Sequence, residues 1–227
     1  MAEKAKKISE LAPFITLEGG EGVGKTTQQR MLIRRIKGMG VKVEATKEPG
    51  ATRMGAEIRR LLSEAKGEGL TPRAELLLFL ADRAQHVDRV IRPALEGGLV
   101  VVSDRFTDSS EVYQGRARGL GWEDVRRLNQ VVCKDVWPDL TIVLDLDPSL
   151  GIKRVNERQG SLGLVPDRME NEGLDFHQAV RQGFLDQAQS EPERIKVVNA
   201  NQAPEDLADQ VWDLTAPLIK EFKARAS

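Results

Sequence analysis

Residues 14–26 read FITLEGGEGVGKT. The apolar run Phe14-Ile15-Thr16-Leu17 predicts a buried strand, and Gly19-Gly20-Glu21-Gly22-Val23-Gly24-Lys25-Thr26 fits the phosphate-loop spacing G-x-x-x-x-G-K-[ST]. A strand that runs through such a loop into a helix aims several backbone N–H groups at one point, where the helix N-terminus adds partial positive charge. Four glycines let the chain turn tightly and approach oxygen closely, Lys25 neutralises phosphate charge, and the Thr26 hydroxyl is placed to ligate Mg²⁺. A chance glycine-rich turn would lack the strand before it and the helix after it.

Strand and helix patterns alternate outward from this loop. Strands are expected at 13–18, 41–46, 99–104, 140–147 and 195–199. Helices are expected at 25–37, 55–65, 122–133, about 173–189 and about 204–224, with a long one from Pro72 that Pro93 kinks or ends. Ile58, Leu61 and Leu62 are expected on one buried face of the second helix. The run LVVVSD at 99–104 is apolar without alternation, as in a central parallel strand covered on both sides. The fold class is therefore α/β, a parallel sheet with helices on both faces, in one domain over 13–227 after a flexible start at 1–12. Residues 148–172, basic and poor in apolar anchors, are expected to form a mobile lid.

The 227 residues suit one domain, and 34 basic against 35 acidic side chains leave no excess charge for a nucleic-acid surface. Cys133, the single cysteine, excludes an internal disulfide and suits a reducing compartment, where a buried, inert thiol is its expected state. No stretch reaches the roughly 18 apolar residues of a membrane span, and MAEKAKKISE has no signal-peptide core. A cytoplasmic protein with a small phosphorylated ligand is expected. His86 and His177 read as surface residues.

Asp104 ends the buried third strand at the rim where open α/β sheets bind ligands, so it is expected to hold Mg²⁺ together with Thr26 rather than merely to cap a turn. Arg105 follows it, and a planar two-pronged donor there suits a second phosphate. A lid bearing arginines would supply cations to a transferring phosphoryl group and exclude water.

Together FITLEGGEGVGKTTQ, KEPGATRMGAEIRRLL, LLFLADRAQHV, SDRFTDSSEVYQGRARGLG, PDLTIVLDLD and PDRMENEGLDFH resemble bacterial thymidylate kinase, from about residue 13 to the end. The resemblance implies a five-stranded parallel sheet of P-loop NTPase type in a homodimer. It implies transfer of the γ-phosphoryl of Mg·ATP to dTMP, with ATP held by residues 19–27, Gly19, Gly20, Glu21, Gly22, Val23, Gly24, Lys25, Thr26 and Thr27, and by Arg154. In the same way Glu21 looks like the partner of the deoxyribose 3′-hydroxyl, Phe79 and Arg83 like the stacking platform and O4 contact for thymine, and Ser110 and Gln114 like contacts to the base edge. Arg59 and Arg105 look like the grip on the dTMP phosphate, and Tyr113 like the bulk that excludes a ribose 2′-hydroxyl. Relatives take a catalytic arginine from the phosphate loop or from the lid. The loop position here is Gly22, which leaves Arg158 as the first choice beside Lys25 and Arg105, with Arg154 and Arg168 in reserve. Phe106 stands where tyrosine is common, and Lys47 and Ala51 stand where arginine and glycine are common. The rival readings are a kinase of the same architecture for another monophosphate, and a nucleotide switch without turnover.

Overall fold

The protein is described by a computed structural model over residues 12–64, 69–162 and 168–226. Strands β1 (Phe14–Glu18), β2 (Val43–Lys47), β3 (Val100–Asp104), β4 (Leu140–Asp145) and β5 (Ile195–Asn199) form a parallel five-stranded sheet ordered β2-β3-β1-β4-β5. The register sets Leu17 beside Asp104. The phosphate loop after β1 and the turn after β3 therefore leave the sheet side by side at its C-terminal rim.

Neighbouring residues on β4 show the two covered faces. Ile142 and Leu144 join the large core with Leu32 and Ile36 of α1 (Lys25–Gly38) and Val211 and Ile219 of α9 (Pro204–Ala226). Val143 instead packs with Val180 and Phe184 of α8 (Leu174–Ser190). Alternation along one strand is the pleat expressed as two cores.

Three helices flank the rim, α2 (Arg53–Glu64), α3 (Pro72–His86) and α6 (Trp122–Cys133). Thr71 caps α3 by accepting the Ala74 N–H, with Pro72 in the first turn. The chain does not break at Pro93. A π-helical segment, Val87–Ile91, precedes α4 (Arg92–Glu96), and the proline falls in the first turn of α4, where its missing N–H costs little. A second π segment, Glu111–Ala117, follows α5 (Thr107–Ser110).

The structure corrects several expectations. Leu61 is 49% exposed while Ile58 and Leu62 are buried, because α2 turns a narrower stripe inward. Ala12, assigned to the flexible start, is buried in the main core; the rest of that start, 1–11, lies outside the described residues. The lid begins as a helix, α7 (Pro148–Leu162), held by buried Gly151, Val155 and Gln159. Residues 163–167 of the lid, and Ala65, the last residue of the second expected helix, lie outside the described residues. Cys133 is buried, and burial pushes its thiol up to about 12.

Candidate active site

The phosphate loop owes its shape to backbone that only glycine adopts readily. Gly19, Gly22 and Gly24 have φ of 130°, 69° and 97°. Space is equally decisive: a Cβ on Gly19 would lie 2.5 Å from the Leu144 carbonyl oxygen, and one on Gly22 would lie 2.2 Å from that of Gly151. In return, a Cβ on Gly151 would meet the Glu21 carbonyl at 2.3 Å. The first turn of α7 thus rests backbone to backbone on the loop, which leaves no room at position 22 for an arginine.

Lys25 is buried and donates to the Gly19 and Gly20 carbonyls at 3.2 and 2.7 Å. Burial, then the Arg105 charge, lowers its pKa. Thr26 Oγ1 donates to Asp104 Oδ2 at 2.9 Å, joining the start of α1 to the end of β3. A hydroxyl and a carboxylate, both hard oxygen donors at an open rim, fit a Mg²⁺ ion that keeps waters and takes phosphate oxygens as its remaining ligands.

Arg105 has φ 72°, an uncommon conformation for a long side chain, and the surrounding contacts hold it there. Its Nη1 donates to Gly19 O and Ser109 Oγ, and its Nη2 to Glu21 Oε1 at 2.6 Å and the Tyr113 hydroxyl at 3.1 Å. Burial acts to raise the Glu21 pKa, but Arg105 and Lys25 outweigh it and hold the group at about 2. Directly behind, Glu18 accepts the Phe106 N–H and the Ser109 hydroxyl. Burial, then the charge of Asp108, raises Glu18 to about 7.

Beside the loop lies a cavity of about 130 Å³ between α2, α3 and the second π segment. Arg59, Phe79, Arg83, Arg105, Ser110, Tyr113 and Gln114 all line it, so the expected acceptor residues converge. Phe79 is half-buried and outside the core clusters, which favours a platform over a core role. Arg83 makes four hydrogen bonds within 3.0 Å, to Glu48, Ser110, Asn129 and the Phe106 carbonyl, and its Nη2 also lies 2.7 Å from Glu48 Oε2.

Both histidines are buried, contrary to expectation. His86 bridges Glu48 (Nδ1 to Oε1, 2.8 Å) and Thr46 (Nε2 to Oγ1, 2.6 Å). Burial acts to raise Glu48, and the Arg83 and His86 beside it outweigh that and lower it. His177 faces a second, small cleft of about 20 Å³ behind the loop, also lined by Asp145 and Arg181. Asp145 and Arg181 pair through both oxygens at 2.7 and 2.8 Å.

The lid arginines are separated. Arg154 is exposed and reaches Ala200 O at 3.5 Å, after the end of β5. Arg158 is exposed and pairs with Glu170 at 3.3 Å, with no contact to the phosphate loop among the described residues. Arg168 points into the acceptor cavity and lies 2.6 Å from Glu75 of α3. Sequence reasoning missed Glu18, Glu48, Glu75 and Asn129. All four are buried polar residues whose partners lie far along the chain; Glu18 and Glu75 border apolar runs, and Glu48 and Asn129 carry no such signal.

The family model described as thymidylate kinase matches residues 17–211. A thymidylate kinase of a Synechococcus strain is 48% identical over 206 residues, covering 91% of this chain and 95% of its own. One from Maridesulfovibrio salexigens is 46% identical over 209 residues, covering 91% and 96%. Among solved structures, thymidylate kinase from Ehrlichia chaffeensis superposes with a TM-score of 0.73 at 31% identity, covering 90% of this chain and 98% of that one.

Proposed function

The chain belongs to the thymidylate kinase family, and from that premise we propose that it transfers the γ-phosphoryl group of ATP to dTMP, giving ADP and dTDP for dTTP synthesis. The observation that carries this reading is the place of Arg105. It stands between the phosphate loop and the mouth of a cavity whose walls include Phe79, Ser110 and Gln114.

The loop N–H groups and Lys25 bind the donor phosphates, Lys25 exchanging the Gly19 and Gly20 carbonyls for phosphate oxygens. Arg105, with Arg59 at the cavity edge, grips the acceptor phosphate and gives up its contact to Glu21. Glu21, released from that hydrogen bond, accepts the 3′-hydroxyl. An acceptor phosphate oxygen forms the new P–O bond as the γ-phosphoryl leaves ADP, and no proton need be removed from a phosphate that is already anionic. Thr26 and Asp104 would hold Mg²⁺, which supplies neutralising charge to the phosphate oxygens. Arg158, Arg154 and Arg168 are the lid cations available for the same purpose. Tyr113 closes the sugar end against a 2′-hydroxyl, a selection worth roughly 10²-fold for an apolar wall.

The expected result of an ADP-release assay with Mg·ATP and dTMP, dUMP, UMP, CMP, AMP or GMP is turnover strongly preferring dTMP. Preference for another monophosphate would overturn the acceptor assignment, and ATP binding without acceptor-dependent turnover would favour a switch.

The protein acts as a homodimer. Leu77 of α3 and Leu128 and Val131 of α6 are 61%, 39% and 74% exposed on helices that pack side by side, an apolar face that a second copy would cover. Light scattering at micromolar concentration is expected to give twice the chain mass; a monomer would refute the assignment. Among the described residues no helix is long and apolar enough to cross a membrane. A lone buried cysteine suits the reducing cytoplasm.

A further inference from the structure

The geometry points to Glu75 as a positioning residue that sets base selectivity, by fixing which end of the Gln114 amide faces the acceptor cavity. This rests on the thymidylate reading of that cavity.

Glu75 lies in α3, fully buried, one helical turn before Phe79. Its Oε1 accepts from Gln114 Nε2 at 2.7 Å and from Arg118 Nε at 3.4 Å. Its Oε2 lies 2.6 Å from Arg168 Nη2 and 3.3 Å from Arg118 Nη2. Guanidinium groups only donate, and two of them pair with this carboxylate, so Oε1 is held as an acceptor and Gln114 must present its NH₂ end to it. Without such a partner the two ends of an amide are nearly equivalent in shape, and the hydrogen-bond network alone decides which way it turns.

The consequence appears in the cavity wall. Gln114 Oε1 has no partner among the described residues and is left as an acceptor. One turn earlier, Ser110 Oγ accepts from Arg83 Nη1 at 2.8 Å, which leaves its O–H to donate. The wall thus offers an acceptor and a donor. Thymine presents N3–H and O4, a donor and an acceptor, and both pairs match. With Gln114 Oε1 set against N3 and the Ser110 hydroxyl, beside Arg83, set against the C4 substituent, cytosine presents an acceptor at N3 and an amine at C4, and both pairs oppose. A buried polar group left without a partner is what makes such a mismatch costly. Uracil carries the same edge as thymine, so this device does not separate dUMP from dTMP.

The test is Glu75→Gln in the full chain, measuring kcat/KM for dTMP, dCMP and dUMP and KM for ATP. A neutral amide at 75 can accept or donate, so Gln114 is free to turn its NH₂ toward the base. The expected result is a rise of about tenfold or more in the dCMP-to-dTMP ratio of kcat/KM, carried mainly by KM, about what one neutral hydrogen bond is worth. The dUMP-to-dTMP ratio should stay within about twofold. If dTMP and dCMP fall by one common factor, Glu75 is merely structural and the inference is overturned. Should Glu75→Gln fail to fold, Glu75→Asp keeps the charge for Arg118 and Arg168 and withdraws the carboxylate from Gln114 by one methylene. The same ratio then decides, and an unchanged ratio overturns the inference. Wild-type protein that does not turn over dTMP would sink the underlying reading before any variant is made, so the two failures are distinguishable.

Discussion

Replacing Arg105 by alanine is expected to lower kcat/KM for dTMP by about 10³-fold or more while ATP binding stays within a few-fold. The guanidinium is half-buried, charged and hydrogen-bonded to Glu21, and removing one partner of such a contact costs about 2–5 kcal/mol, where each 1.36 kcal/mol is tenfold in rate. Alanine suits φ 72° no better than arginine does, so backbone strain is the same in both chains and the loss reports on the side chain. Lysine at 105 should recover only part of it, since an ammonium lacks the planar fork. Steady-state kinetics with varied dTMP, alongside ATP titration, checks the split. A loss below tenfold would return Arg105 to a structural role and favour a nucleotide switch.

The second large effect concerns Glu18. Its pKa in the folded chain is about 7 against an ordinary 4.5, with burial the leading cause and Asp108 adding to it. Between these values the native state holds a proton that the unfolded state has lost, so stability falls as pH rises. The contribution is fully present below pH 4.5 and is lost as pH passes 7. Arg105, Ser109 and the Phe106 N–H also face the group, and each favours its charged form. Glutamine imitates the protonated acid: its carbonyl takes the Phe106 N–H and its amide donates to Ser109 Oγ. Glu18→Gln should therefore remove this slope, gaining up to about 3 kcal/mol relative to wild type between pH 4.5 and 8. Urea unfolding at both pH values measures it; parallel curves would show that Glu18 titrates normally.

Much of the rim was legible in the sequence because its signals are local. The glycines of the loop and the Thr26 and Asp104 positions all follow from spacing along one strand or one turn. Arg59, Phe79, Ser110 and Gln114 came through family resemblance, and the fold does bring them to one cavity. Glu48 and His86 are 38 residues apart, and each looks like surface until the hydrogen bond between them lets both be buried. Arg83 was read by its capacity to donate, but Glu48, Ser110 and Asn129 already accept from it. Helix α7 escaped notice because it is held by a glycine contact and two buried side chains, too few for a helical stripe.

The contact between Gly22 and Gly151 makes α7 a lever with its fulcrum on the phosphate loop. Fifteen residues at 1.5 Å each give the helix a length of about 22 Å, and Arg158 rides about 10 Å from the pivot. A tilt of about 15° there carries the far end, about 16 Å from the pivot, roughly 4 Å and the backbone at 158 about two thirds of that, with the loop itself unmoved. Two residues without side chains thus set a gear ratio. The phosphate loop stays still while the displacement grows along the helix toward Arg158.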